Sequence, residues 1–142
     1  QEVVDKTLNL VKPTLVDKKI MVSVTAEADI RAVGYPNEYA QTLMNILYNA
    51  RDALLEKQVQ EPRISISIHQ KEGRSVLTVS DNGGGIPQQI LPQIFEPYVT
   101  TKGPSQGTGI GLYMAKTMIE RNMGGTLTAR NTAEGAEFRI ML

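Results

Sequence analysis

The sequence predicts an α/β domain in which helices pack as a layer against a β-sheet. Apolar residues recur at every second position at Ile64, Ile66 and Ile68, the period of a half-buried strand. Between residues 37 and 57 they recur instead with the spacing of an amphipathic helix. The chain has 142 residues, enough for one core, and shows no repeat or long linker. We therefore expect a single domain over residues 1–142.

The first predicted element is a helix, because apolar residues between 4 and 15 recur with helical spacing. Pro13 should kink or restart this first helix. Gly124 and Gly125 should end the last helix, and hairpins are expected at both ends of the sheet. The other elements are a strand at 20–24, a long helix at about 37–57, strands at 64–69 and 76–81, a short helix at 87–94, a helix at 112–123, and an antiparallel pair at 126–130 and 136–141.

Composition excludes several classes of function. Lys and Arg together number 15, as do Asp and Glu, so the chain lacks the positive charge that nucleic-acid binding usually needs. With no Cys and a single His, His69, thiolate sites and His-rich metal sites are hard to build. No apolar run approaches the roughly 20 residues that span a bilayer, so no direct membrane contact is expected.

Asn45, Asn49 and Asp52 lie along one stripe of the predicted long helix, at positions i, i+4 and i+7. Such a stripe can be the solvated edge of an amphipathic helix. However, asparagine costs about a few tenths of a kcal/mol relative to alanine in mid-helix. Amide and carboxylate oxygens are also ligands that Mg²⁺ takes beside phosphate. The stripe is therefore a candidate metal and phosphate site.

Asp81 shares a strand face with Leu77 and Val79, so its carboxylate should point toward the core. A carboxylate seldom lies there without a partner. Three glycines follow at 83–85, whereas an ordinary β-turn, the alternative interpretation, needs one. We favour a slot for a planar ligand, in which Asp81 accepts a hydrogen bond from the exocyclic amine of a base.

A second glycine-rich segment, residues 107–112, begins the helix predicted at 112–123. Free N–H groups at a helix start, approached closely through glycine, can bind phosphate. The segment does not directly follow a strand, as the glycines of a dinucleotide-binding fold do, and it does not end in the Lys-Ser/Thr pair of a P-loop. A flexible surface loop therefore remains an alternative. Thr100, Thr101 and Lys102 precede it and supply two hydroxyls and a cation.

In this order, the segments resemble the nucleotide-binding domain shared by sensor histidine kinases, gyrase, the HSP90 chaperones and mismatch-repair MutL. The resemblance is strongest to the catalytic and ATP-binding domain of bacterial two-component sensor histidine kinases. It covers about residues 20–142, including the closing strands. Four motifs carry it: the asparagine box at 45–54, a first glycine box at 81–86, the phenylalanine box at 94–102 and a second glycine box at 107–112.

The resemblance implies a Bergerat-type fold, a two-layer sandwich of a mixed β-sheet with helices on one face, and implies roles for individual residues. Asn49 would hold Mg²⁺, with Asn45 beside it, and Lys102 would meet the γ-phosphate; these three are the implied catalytic residues. Asp81 would accept from the adenine amino group. Further ATP-binding residues implied are Asp52, Gly83, Gly85, Ile86, Phe95, Thr100, Thr101, Gly107, Thr108, Gly109, Ile110, Gly111 and Leu112.

Two departures from the family pattern bear on these roles. Many members have Lys three residues after the second asparagine of the box, where this chain has Asp52, so Arg51 or Lys102 would have to meet the phosphate charge. Relatives that hydrolyse ATP have Glu where this chain has Asn45, which disfavours an ATP-hydrolysing clamp.

The function implied is transfer of the γ-phosphoryl group of Mg-ATP to a histidine on a separate helical dimerisation domain of the same parent kinase. A response regulator would then be an indirect partner. Residues 1–18 would end the connection to that domain, and the chain would be cytoplasmic, although its parent could be membrane-anchored. Alternatives are a stand-alone serine kinase of the anti-sigma-factor type and a nucleotide-sensing module without catalysis. His69, which alternates with buried isoleucines, should face away from the core and not be the phosphorylated histidine.

Overall fold

The computed structural model describes residues 2–27, 34–96 and 111–142. In these ranges a five-stranded sheet carries helices against one of its faces. The helices are α1 (Glu2–Asp17), α2 (Pro36–Glu56) and α3 (Gly111–Thr117), and the strands are β1 (Met21–Ala26), β2 (Arg63–Lys71), β3 (Arg74–Asp81), β4 (Thr126–Asn131) and β5 (Ala136–Met141). The predicted class, a mixed sheet with helices on one face, is therefore confirmed.

The strand order in the sheet is β1-β2-β3-β5-β4. β1 pairs parallel to β2, and the other three pairs are antiparallel. The prediction of hairpins at both ends was wrong, because only the β4–β5 hairpin lies at an edge. At the other edge the chain crosses over through α2 between β1 and β2, as a parallel pair requires. The β2–β3 hairpin lies inside the sheet, and its two turn residues, Glu72 and Gly73, have φ of 53° and 78°.

The core lies between this sheet and the helices. Ile64, Ile66 and Ile68 are buried on the helix-covered face of β2, as their alternation predicted. The apolar side of α2 packs against them and is fully buried at Leu43, Ile46 and Leu47. α1 joins the same core through Val4, Leu8, Val11 and Leu15. Within the described residues, no helix is long and apolar enough to cross a membrane.

Three predicted helices differ from the observed ones. α1 continues through Pro13, so the expected restart is absent; the ring removes the N–H that would bond the exposed Asn9 carbonyl, while buried Val11 and Leu15 hold the helix in the core. The short helix expected at 87–94 is instead a 3₁₀ turn at Leu91–Gln93, where Pro92 has no N–H to continue a helix.

The third difference lies at the end of α3. The predicted helix at 112–123 is α-helical to Thr117 and then widens into a π-helical turn at Met118–Asn122. Its predicted stop is confirmed. Gly124 adopts φ +70°, and the Gly125 N–H donates to the carbonyl of Ile119 at 2.9 Å, which is a glycine C-cap.

Candidate functional site

Asp81 ends β3 on the helix-covered face of the sheet, as its alternation with Leu77 and Val79 predicted. It is 8% exposed, and its Oδ1 accepts hydrogen bonds from the N–H groups of Gly83 (2.9 Å) and Ala136 (3.3 Å). Burial raises the pKa of this carboxyl, while the two backbone hydrogen bonds and the charge of Lys57 act in the opposite direction. Both bonds from described residues go to Oδ1, which leaves Oδ2 as an acceptor for a ligand.

The glycine loop, residues 83–86, turns sharply beside this carboxylate. Gly84 and Gly85 have φ of +84° and +89°, a region that favours glycine. Asn131, at the end of β4, holds the loop: its Oδ1 accepts from Ile86 N at 2.7 Å and its Nδ2 donates to Ile86 O at 2.8 Å. A Cβ on Gly85 would lie 2.9 Å from Asn131 Oδ1, so this glycine also permits a close approach.

Gly135, which precedes β5, presses against the backbone of Asp81. A Cβ at this position would lie 2.3 Å from the Asp81 carbonyl oxygen and 2.6 Å from its Oδ1. Nearby, the Gly84 N–H donates to the carbonyl of Glu134 at 3.0 Å. Gly135 and Asn131 are site residues that sequence reasoning missed. Their contacts depend on the sheet order, which brings the β4–β5 hairpin beside the end of β3.

The polar stripe of α2 lies at the other end of the site. Asn45, Asn49 and Asp52 are half-buried. Asn45 Nδ2 donates to the carbonyl of Gly111 at 3.3 Å, which joins the stripe to the start of α3. The side-chain amide of Asn49 makes no hydrogen bond with the described residues. Its amide oxygen therefore fits the role of a ligand to an incoming group.

Asp52 is engaged with the residue before it. Its Oδ1 accepts from Arg51 Nε (3.0 Å) and from the terminal nitrogen of the same guanidinium (2.8 Å). That guanidinium also lies 4.8 Å from the centroid of the Tyr48 ring. The hydrogen bonds partly neutralise both side chains, so Arg51 does not present an unpaired cation to phosphate.

Phe95 packs between Phe138 of β5 and Lys116 of α3. Its ring meets Phe138 edge-on at 6.3 Å between centroids and an interplanar angle of 88°. Lys116 Nζ lies 4.7 Å from the same ring and is held by the Leu127 carbonyl (3.2 Å) and by Glu120 (3.2 Å). The Phe95 ring is thus half-buried and held from two sides.

The structure brings the predicted residues together in two groups. The first group contains Asp81, Gly83, Gly85 and Ile86. The second group contains Asn45, Asn49 and Gly111. Helix α2 runs between the two groups. Leu112 is half-buried next to Gly111. Within the described ranges, no three His, Cys, Asp or Glu side chains are grouped to hold a metal ion. Outside the described residues lie Thr100, Thr101, Lys102, Gly107, Thr108, Gly109 and Ile110.

Residues 34–142 match the family model of the histidine kinase-, DNA gyrase B- and HSP90-like ATPases. The chain is similar to the two-component sensor PprA of Pseudomonas aeruginosa (43% identity over 77% of this chain and 12% of PprA). It is also similar to the sensor histidine kinase ZraS of Salmonella typhimurium (32% identity over 99% of this chain and 30% of ZraS). The chain thus spans less than a third of these curated relatives.

Among solved structures, the nucleotide-free catalytic domain of the histidine kinase ThkA is similar over nearly its whole length. The TM-score is 0.85 at 25% identity, and the match covers 99% of this chain and 91% of that domain. The likeness extends through α1, which the family model does not include. The chain therefore belongs to the family of histidine kinase-, DNA gyrase B- and HSP90-like ATPases, as a catalytic domain of the sensor-histidine-kinase type.

Proposed function

We propose that this chain binds Mg-ATP between α2 and the glycine loop. The buried carboxylate of Asp81 carries the proposal, because its Oδ1 is held by two backbone N–H groups while Oδ2 remains available. An acceptor in a desolvated slot suits the exocyclic amine of adenine. Gly83, Gly85 and Ile86 shape the slot beside it.

The phosphate end of the site lies along the stripe of α2. Asn49, with Asn45 beside it, would hold Mg²⁺, which supplies charge neutralisation at the phosphates when it is bound. The side chain of Asn45 donates to the Gly111 carbonyl and so links α2 to the start of α3. Lys102, Thr100, Thr101 and the glycines at 107, 109 and 111 complete the proposed phosphate site, with Thr108, Ile110 and Leu112 between or after them.

We further propose transfer of the γ-phosphoryl group to a histidine on a helical dimerisation domain of the parent kinase. The names of the relatives, a two-component sensor and a sensor histidine kinase, support this activity. The name of the two-component sensor also supports a response regulator as an indirect partner. A cytoplasmic position of the chain is part of the same proposal. Residues 1–18 would join the upstream domain through α1, whose buried face belongs to the core of the chain.

A phosphotransfer assay on the parent kinase tests this function. We expect incubation with labelled ATP to give phosphate on the helical domain that is lost in acid, since phosphohistidine is acid-labile. The Asp81→Asn variant of the same kinase should give little label. Acid-stable phosphate would instead indicate a serine kinase, and ATP affinity without any label would indicate a sensing module.

Asn49→Ala tests the metal ligand. Because the lost oxygen would face the ion, this variant should weaken binding of Mg-ATP at least tenfold while changing the affinity for metal-free ATP much less. Calorimetric titration with and without Mg²⁺ measures the two affinities. The matched control is Gln41→Ala, on the exposed side of α2, which should alter neither. Equal losses with and without Mg²⁺ would show that Asn49 supports the pocket but does not bind metal.

A further inference from the structure

Lys57 joins the end of α2 to the glycine loop. It is the C-cap residue of that helix, where its backbone N–H donates to the carbonyl of Ala53. Its side chain is exposed but directed, because Nζ donates to the carbonyl of Gly85 at 2.5 Å. A Cβ built on Gly84 would lie 3.6 Å from the same Nζ, so the ammonium rests against the loop itself.

The same ammonium acts on the buried carboxylate. The charge of Lys57 favours the ionised form of Asp81, against the burial that disfavours it. Two other charged side chains lie on elements packed around Asp81: Arg63 at the start of β2 and Glu134 in the β4–β5 loop. They pair with each other at 3.8 Å and are largely exposed.

We infer that Lys57 is a positioning residue for the proposed base slot: its ammonium ties the end of α2 to the carbonyl of Gly85 and so holds the glycine loop in place beside Asp81. This inference rests on the proposed binding of ATP. Neither the boxes of the sequence nor the roles carried over from the family include Lys57. Its position follows from two glycines with positive φ, which expose the Gly85 carbonyl to the end of the helix.

The consequence is a pH dependence that Lys57 sets. Asp81 must be ionised to accept from the base through Oδ2, so ATP affinity should fall as the pH is lowered and the carboxyl takes up a proton. Without the nearby cation, that proton is taken up at higher pH. Loss of Lys57 should therefore weaken ATP binding more at mildly acidic pH than at pH 8.

The test is a calorimetric titration of ATP into the chain between about pH 5 and pH 8, with wild type, Lys57→Met and Lys57→Arg. At pH 8, Lys57→Met should bind about three- to tenfold more weakly, the effect of losing one charged donor at an exposed site. Its acid loss of affinity should begin at higher pH than in wild type. Lys57→Arg, which keeps the cation, should restore the wild-type pH profile.

Lys71→Met is the matched control, since it removes one exposed cation from the far end of β2 and should leave the profile unchanged. A profile of Lys57→Met that coincides with wild type, or an equal loss at every pH, would overturn the inference. A wild-type chain that binds no ATP would overturn the proposed function instead. Circular dichroism of each variant at each pH confirms that folded chains are compared.

Discussion

At the scale of single residues, the candidate site contains a carboxylate, Asp81, at a buried position where folding disfavours a charge. Asp81 is buried in the folded chain, and burial raises its pKa. Between its unfolded value and that raised value, the folded state binds more protons than the unfolded state. Stability therefore falls as the pH rises through this window, and the ionised carboxylate destabilises the fold at neutral pH. Folding therefore disfavours the ionised carboxylate that the proposed ligand needs as a hydrogen-bond acceptor.

Asp81→Asn should separate the effect of the carboxylate on ATP binding from its effect on the stability of the fold. Its amide oxygen can still accept from Gly83 and Ala136, while an NH₂ donor replaces Oδ2. ATP affinity should fall at least tenfold, a loss on the order of 1.5–3 kcal/mol, as calorimetry can measure. The free energy of unfolding should rise at pH 7, and this gain should vanish as the pH approaches the unfolded pKa. The exposed Asp17→Asn should leave affinity unchanged; unaltered affinity in Asp81→Asn would contradict the adenine assignment.

Two buried threonines offer a second comparison at this scale. Thr7 on α1 donates to the Val3 carbonyl at 2.8 Å, whereas the Thr42 hydroxyl on α2 has no partner in the part of the chain that the structure describes. An unpaired buried hydroxyl destabilises a fold. Thr42→Val should raise the free energy of unfolding in urea by about 1 kcal/mol, and Thr7→Val should not. Equal changes in both variants would contradict this account.

At the scale of elements, the proposed base slot lies where two hairpins meet. β3 ends at Asp81, and the β4–β5 hairpin supplies Asn131, Glu134 and Gly135 to hold the glycine loop. None of these three contacts would form in another strand order. The slot is therefore a property of the β3–β5 pairing rather than of the glycine loop alone.

Gly135→Ala tests this dependence. The added Cβ would lie 2.3 Å from the Asp81 carbonyl oxygen, a backbone atom that can yield only if β3 and β5 separate. We expect a loss of about 1–3 kcal/mol in the free energy of unfolding and weaker ATP binding. The control is Gly111→Ala, where a Cβ meets its nearest atom among the described residues at 3.7 Å and should be tolerated in stability. Similar unfolding midpoints for both variants would contradict the close contact.

Much of this arrangement could be predicted from the sequence. Alternation of apolar residues predicted β2 and β3 and the inward direction of Asp81, because side-chain direction depends on local period. Period does not encode which strands pair, so the parallel edge at β1 and the contacts of Asn131 and Gly135 could not be found. The 3₁₀ turn at Leu91–Gln93 was missed although Pro92 signalled it.

At the scale of the whole molecule, the helices cover one face of the sheet and the site opens on that side. Asp81 lies on the covered face together with Ile64, Ile66 and Ile68. His69 follows Ile68 directly on β2 and so points to the opposite face. The sheet itself therefore separates the one histidine of the chain from the proposed nucleotide site.

His69 should accordingly not accept phosphate. A phosphoacceptor must come within about 3–3.5 Å of the γ-phosphate, which a side chain across the sheet does not reach. Incubated alone with labelled ATP, this chain should take up essentially no acid-labile phosphate. The His69→Gln variant of the parent kinase should label its helical domain as well as wild type does. Labelling of the isolated chain that disappears with His69→Gln would contradict the geometry.

The positive φ values of Glu72 and Gly73 have a consequence for how the chain folds. A two-residue turn of this kind matches the twist of its strands, so β2 and β3 can find each other within about 1–10 μs, the time in which hairpins form. The pairing of Val79 with Phe138 instead closes a long stretch of chain and is slow to form. Asp81 and Gly135 therefore meet late in folding. Only chains in which β3 and β5 have paired would then bind ATP. Nucleotide present during synthesis would therefore stabilise the chains in which this last long-range pairing is in register.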